Sequence, residues 1–176
     1  MTRKVAGCVP VRLRRSVRGG EEFDEWEVLL VQSRWVPQVW LFPKGGIEKH
    51  EKAKAAAVRE TREEAGVIGR VGPKVGQFRL ESTPGQTIKL WILFVGEELA
   101  SNDKRWKERK SRARQWLTFP EARNLMTSID PGLVRPELVE ILERSRSILS
   151  TSNVATAVLG NDEDDTEDDV NEGDDE

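Results

Sequence analysis

Residues 42–67 read FPKGGIEKHEKAKAAAVRETREEAGV, and the reading of this stretch decides that of the chain around it. Gly45 and Gly46 suggest a loop after Pro43. The alanine-rich run that follows, with Gly66 as a C-terminal stop, predicts a helix from about Lys52 to Ala65. At ~100° per residue, Glu60, Glu63 and Glu64 fall within an arc of roughly 100° on one face. Val58, Thr61 and Ala65 group on the opposite face, the one expected to pack on a sheet. Like charges three or four residues apart on a helix cost about a few tenths of a kcal/mol per pair, so something must offset the crowding. A solvated helix face is the ordinary fate of such a run. Three carboxylates beside flexible glycines also suit a hard divalent cation, which takes oxygen ligands and bridges to phosphates. Arg59, four residues before Glu63, is placed to pair with it. Ala55, Ala56 and Ala57 are expected to leave room beside the acidic face for a bulky ligand.

Outward from the helix, KVAGCVPVRL and EWEVLLVQS read as strands joined by a polar connection from Arg14 to Asp24. VWLFP is a short apolar strand ended by Pro43. Further strands are expected in KVGQFRLES and QTIKLWILFVGEEL, followed by the basic run DKRWKERKSRAR. QWLTFP then leads into EARNLM, and RPELVEILERSRSIL carries apolar residues at helical spacing. This order predicts an α/β (α+β) architecture, a mixed sheet with helices packed on it.

The chain has 176 residues, enough for one domain with a real core, assigned to residues 1–150. Residues 151–176 hold no Lys or Arg, and eleven acids lie between Asp162 and Glu176. A tail of that composition is expected to be disordered. It hides the sign of the body: a formal net charge of -3 overall leaves 28 bases against 20 acids, or +8, in residues 1–150. A basic body implies an anionic partner. No apolar stretch approaches the ~20 residues needed to cross a bilayer, and the N-terminus lacks a signal-like apolar region. The expectation is a soluble, monomeric, cytoplasmic protein with no membrane partner; the basic run also has the composition of a nuclear localisation signal. The single Cys8 is expected in the core and His50 in an exposed loop. Trp40, Trp91 and Trp116 read as core, Trp35 and Trp106 as candidates for stacking on an adenine, and Trp26 is left unassigned.

The spacing Gly45, five residues, Glu51, seven residues, Arg59-Glu60-Thr61-Arg62-Glu63-Glu64-Ala65-Gly66-Val67 resembles the Nudix hydrolase box, G-x₅-E-x₇-R-E-U-x-E-E-x-G-U with U usually aliphatic. Every fixed position matches, and Thr61 at a U position is the one departure. The resemblance implies a Nudix fold, a mixed β-sheet sandwiched between helices, with the box as a loop-helix-loop. It also implies hydrolysis of a diphosphate linkage with Mg²⁺ or Mn²⁺. Carried over by position, Glu60 and Glu64 are the principal metal ligands. Glu63 is a further ligand or the base that activates water, and a carbonyl of the Gly45-Gly46 loop completes the metal shell. Glu51 and Arg59 orient the loop and the catalytic glutamates.

Over roughly Lys4 to Ser145 the chain is similar to the diphosphoinositol polyphosphate phosphohydrolases, which also cleave diadenosine polyphosphates. The segments EVLLVQSR, VWLFPKGGIEKHE, WKERKSRARQWLTFPEA and RPELVEILERS carry that likeness. It implies an anion-binding cluster drawn from Arg3, Lys4, Ser33, Arg34, Lys44, Gly45, Gly46, Arg112 and Arg114. Independently of any family, seven bases crowd between Lys104 and Arg114 against the lone acid Glu108, which suits a ligand with many phosphates, a solvated loop being the ordinary alternative. The leading expectation is metal-dependent hydrolysis of diphosphoinositol and diadenosine polyphosphates, with inorganic polyphosphate as a further substrate. An RNA 5′-end pyrophosphohydrolase or mRNA decapping enzyme is the first alternative, since WLFPKGGI resembles that group too and a +8 body suits RNA. A non-catalytic polyanion-binding Nudix module is the second.

Overall fold

The computed structural model describes residues 4–81 and 83–151, so the expectations for Arg3 and for the acidic tail beyond Thr151 lie outside the described residues. The strands are β1 (Lys4–Arg18), β2 (Glu21–Gln32), β3 (Trp40–Leu41), β4 (Lys44–Gly46), β5 (Val67–Arg79), β6 (Thr87–Glu98) and β7 (Arg114–Thr118). The helices are α1 (Ala53–Ala65), α2 (Phe119–Thr127) and α3 (Pro136–Ser150), with a 3₁₀ turn at Pro131–Leu133. The sheet runs β3-β2-β1-β6-β5, with β4 on β1 and β7 on β2. It is mixed: β1 and β6 run parallel, Lys4 opposite Thr87 through Val11 opposite Phe94, and the other pairs are antiparallel. None of the helices among the described residues is long and apolar enough to cross a membrane.

Side chains alternate across a strand, and that alternation builds two cores. Val5, Val9 and Val11 of β1, Val28 and Leu30 of β2, and Ile88, Leu90, Ile92 and Phe94 of β6 face one side, where α2 and α3 bring Met126, Leu138, Ile141 and Leu142. Ala6, Cys8, Leu29, Val31, Trp91 and Leu93 face the other, against Ala56, Ala57 and Ala65 of α1. The sheet is thus held between α1 and the α2–α3 pair. Cys8 is fully buried, as expected, and burial pushes its thiol up to about 12.

Two expected loops are strands. The stretch Arg14–Asp24 is a two-stranded ribbon closed by Gly19 (φ 63°) and Gly20 (φ 85°), with Arg18 opposite Glu21. Both turn residues have the positive φ that a two-residue primed turn demands. The ribbon projects past the core and carries cross-strand ion pairs such as Arg15–Glu22 at 3.6 Å, so it has no apolar alternation to read. Gly45 and Gly46, expected as a loop, form β4 against Ala6 and Val5.

At the first turn of α3, Glu137 is 6% exposed, and neither carboxylate oxygen has a hydrogen-bond partner among the described residues. A buried, unsatisfied acceptor costs about 1–3 kcal/mol. Replacing Glu137 by leucine is therefore expected to stabilise the protein by that order, read as a higher midpoint in urea unfolding with unchanged slope.

Candidate active site

Small residues bring α1 close to the sheet. Ala56 and Ala57 are fully buried in the core beneath the helix, so they permit the close approach and are not the side-room for a ligand expected of them; of the three alanines only Ala55 is exposed. Thr61 is also fully buried, and its hydroxyl donates to the Ala57 carbonyl at 2.7 Å, which satisfies the polar group at an apolar position. The expected stripe shifts by one step: Val58 is only half-buried, while Glu64 joins the buried residues of the helix. Gly66, at φ 64°, ends the helix and donates its N–H to the Arg62 carbonyl.

Glu60, Glu63 and Glu64 do share a face, and their side chains keep 16%, 15% and 11% of their surface. β4 closes one side. A Cβ on Gly45 would lie 2.0 Å from the Glu60 carboxyl carbon, so the carboxylate rests directly on the Gly45 backbone. The Lys44 N–H donates to Glu64 Oε2 at 2.9 Å.

Basic side chains offset the crowding among the glutamates. Arg59 donates to both oxygens of Glu51 at 2.8 Å, to Glu60 at 2.8 Å and to the Gly46 carbonyl at 3.0 Å. It thereby ties loop, β4 and helix together; its pairing with Glu63 is looser, at 3.8 Å. Those hydrogen bonds hold Glu51 down at about 2 and raise Arg59 further. Lys107 Nζ stands 2.5 Å from Glu63 Oε1, and Arg112 stands 3.4 Å from Glu64 Oε1. Burial pushes Glu64 up to about 7, opposed by Arg112 and by Lys44. Burial also lowers Lys44; Glu64 counteracts this, while Arg112 and Arg135 add to it.

The basic loop between β6 and β7 is held by an aromatic anchor. Trp106, read as a stacking candidate, is instead 6% exposed and donates its indole N–H to the Glu64 carbonyl at 3.0 Å. Arg114 stacks on that ring at 3.8 Å and donates to the carbonyls of Ala65, Gly66 and Leu99. The structure thus spends Arg114 on closing the end of α1. Arg112, just before β7, also reaches this end of the helix, at the Glu64 carboxylate, and is paired with Glu108.

Of the other anion-binding candidates, Ser33 accepts hydrogen bonds from the N–H groups of Trp35 and Val36 and shapes their turn. Arg34 reaches Glu108 at 3.3 Å, and Lys4 is exposed at the start of β1. His50 is exposed, as expected, in a turn at φ 66°. Trp91 is core; Trp40 and Trp116 are half-buried against the cores, Trp26 packs near Phe94, and Trp35 is 88% exposed. Sequence reasoning missed two residues. Lys107 was one of seven clustered bases with nothing to single it out, and Arg135 carries no local signal of its proximity to Lys44.

Among the described residues, no three His, Cys, Asp or Glu side chains are gathered as a metal-holding group; each glutamate is directed at its own cation. The donor chemistry nonetheless fits a hard divalent cation. It is all oxygen, from three carboxylates on one helix face, with Glu60 lying against a glycine backbone.

The NUDIX domain profile matches residues 6–138. The chain is 38% identical over 126 residues to Nudix hydrolase 4 of Arabidopsis thaliana, a match covering 70% of this chain and 58% of that protein. It is 33% identical over 155 residues to human diphosphoinositol polyphosphate phosphohydrolase 3-alpha, covering 87% of this chain and 85% of that one. In fold it is similar to the crystal structure of a C. elegans Ap4A hydrolase, with TM-score 0.59, 22% identity and coverage of 85% of this chain and all of that one.

Proposed function

The chain belongs to the Nudix hydrolase family, and on that premise we propose that it hydrolyses phosphoanhydride bonds in diphosphoinositol polyphosphates and diadenosine polyphosphates, with Mg²⁺ or Mn²⁺ as cofactor. The observation that carries this reading is the meeting of Glu60, Glu63 and Glu64, half-buried beside Gly45, with Lys107, Arg112 and the N–H and charge of Lys44. Acids for the cation and bases for phosphate stand side by side there.

Glu60 and Glu64 would hold the cation, with Glu63 as a further ligand or as the base for the attacking water, and the Gly45 backbone beside them. A cation bound there supplies Lewis-acid charge neutralisation on the phosphates and lowers the pKa of water. Arg59 keeps Glu60 and Glu51 in place. Lys44, Arg112 and Arg34 would serve as phosphate donors, with exposed Lys4 at the start of β1 as a further one; Arg3 completes the proposed set from outside the described residues. Arg114 and Ser33 act through the backbone and loops they hold.

Exposed Trp35, held outward by the Ser33 turn, offers a platform for an adenine. Base stacking on an aromatic side chain is worth about 1–3 kcal/mol. Trp35→Ala is therefore expected to raise KM for a diadenosine polyphosphate about tenfold and leave that for a diphosphoinositol polyphosphate unchanged.

The deciding experiment compares the wild type with Glu64→Gln, each with Mg²⁺ or Mn²⁺. The substrates are a diphosphoinositol polyphosphate, a diadenosine polyphosphate, inorganic polyphosphate and capped or triphosphorylated RNA. Turnover of the first two, lost in the variant, is the expected result. Cleavage of RNA alone would replace the proposal with the decapping reading, and binding without turnover would replace it with the non-catalytic one.

A further inference from the structure

Three cations form ion pairs with these glutamates, and they differ in freedom. Arg59 is locked by Glu51, Glu60 and the Gly46 carbonyl. Arg112 keeps 7% of its side-chain surface and is braced 2.7 Å from Glu108, which also holds Arg34. The Lys107 side chain is 66% exposed, and Glu63 is its only ion-pair partner among the described residues. Its root, however, is fixed. Trp106 before it is buried against α1, and Glu108 after it donates its N–H to the Glu63 carbonyl at 3.0 Å. A pinned backbone with a free four-carbon arm suits a charge that changes partner, since an ammonium is a compact point charge on rotatable bonds.

We propose that Lys107 is an exchangeable counter-ion. It occupies Glu63 while that carboxylate has no metal to bind, and it moves to a phosphate oxygen of the substrate once Glu63 is engaged by a divalent cation. This inference rests on the metal-dependent reading of the site given above. The physical basis is competition followed by reuse. An ammonium and a divalent cation cannot both claim the same Glu63 oxygen, and the displaced charge then stands within a side chain's length of the place where phosphate must lie. The exchange couples the two ligands: phosphate affinity rises when the cation enters, because Lys107 is released by the same event.

The coupling gives Lys107→Met opposite effects on two ligands, which a purely structural or purely substrate-binding lysine would not produce. Mn²⁺ affinity, measured by calorimetry and by the spin-resonance signal of free Mn²⁺ at fixed ionic strength, is expected to rise about threefold, the scale of one half-exposed ion pair. Affinity for inositol hexakisphosphate, which has no anhydride to cleave, is expected to fall about fivefold with Mn²⁺ present, the scale of a screened charge-assisted hydrogen bond. Without Mn²⁺ the variant should match the wild type, because Lys107 is then held by Glu63. Equal Mn²⁺ affinity in the two proteins, or the same loss of inositol hexakisphosphate affinity with and without Mn²⁺, overturns the exchange and leaves the metal-dependent reading standing. Failure of the wild type to bind Mn²⁺ at all overturns both.

Discussion

Replacing Glu64 by glutamine is expected to lower kcat by about 10³-fold, the several kcal/mol that a metal-assisted site draws from charge stabilisation, without lowering thermal stability at pH 8. The two halves of this result have one cause. Burial pushes the Glu64 carboxyl up to about 7, so the folded protein prefers it neutral. A group raised in this way contributes stability that is full below its unfolded value near 4.5 and is lost as pH rises through about 7. At pH 8 the wild type therefore carries a charge that its fold resists, and the neutral isostere removes it. The Lys44 N–H retains an acceptor, and Arg112 retains Glu108. Steady-state kinetics and a melting curve on the same preparation check both halves; a variant that melts well below the wild type would show that Glu64 serves the fold and not the site.

Gly66→Ala is expected to have the largest effect on the fold, a loss of about 3 kcal/mol, or on the order of 10 °C in Tm. The residue sits at φ 64°, where a side chain costs about 1–2 kcal/mol. A Cβ there would also lie 2.5 Å from the Trp106 ring and 2.6 Å from the Arg114 guanidinium. Neither can retreat cheaply, because the indole N–H bonds the Glu64 carbonyl and the guanidinium closes the end of α1. The final glycine of the box pattern thus ends the helix and makes room for the aromatic anchor of the basic loop. Chemical denaturation checks the loss. A parallel weakening of phosphate binding is expected, since Lys107 and Arg112 flank that anchor along the chain.

The box pattern made the helix, its terminating glycine and the shared face of the glutamates legible, because each depends on spacing within one element. The apolar alternation of β1, β2 and β6 was legible for the same reason. The ribbon from Arg14 to Asp24 was not, because charged cross-strand pairs hold it and no buried face shapes its sequence. The first half of β5 was missed because Gly69, Gly72, Pro73 and Gly76 break the pattern, and its register with β6 shifts along the same segment. Trp106 was misread because its neighbours in sequence are charged while its neighbours in space are α1 and Arg114. Which of seven bases meets which glutamate is a property of a loop crossing from β6 to β7, and no local spacing encodes it.

The parallel pairing of β1 with β6 also governs the order of assembly. β1 and β2 are joined by a two-residue turn and can zip early, but the edge of β1 from Lys4 to Val11 has its other partner more than eighty residues downstream. Closing so long a loop costs entropy before any contact repays it, and folds that depend on such pairings form slowly. A growing chain that has reached Arg79 already contains the whole glutamate stretch, yet it lacks the strand that completes the floor under α1. Cys8 and Ala6 then remain without Trp91 and Leu93 beside them. The helix that bears the glutamates is made early, and its geometry is settled late.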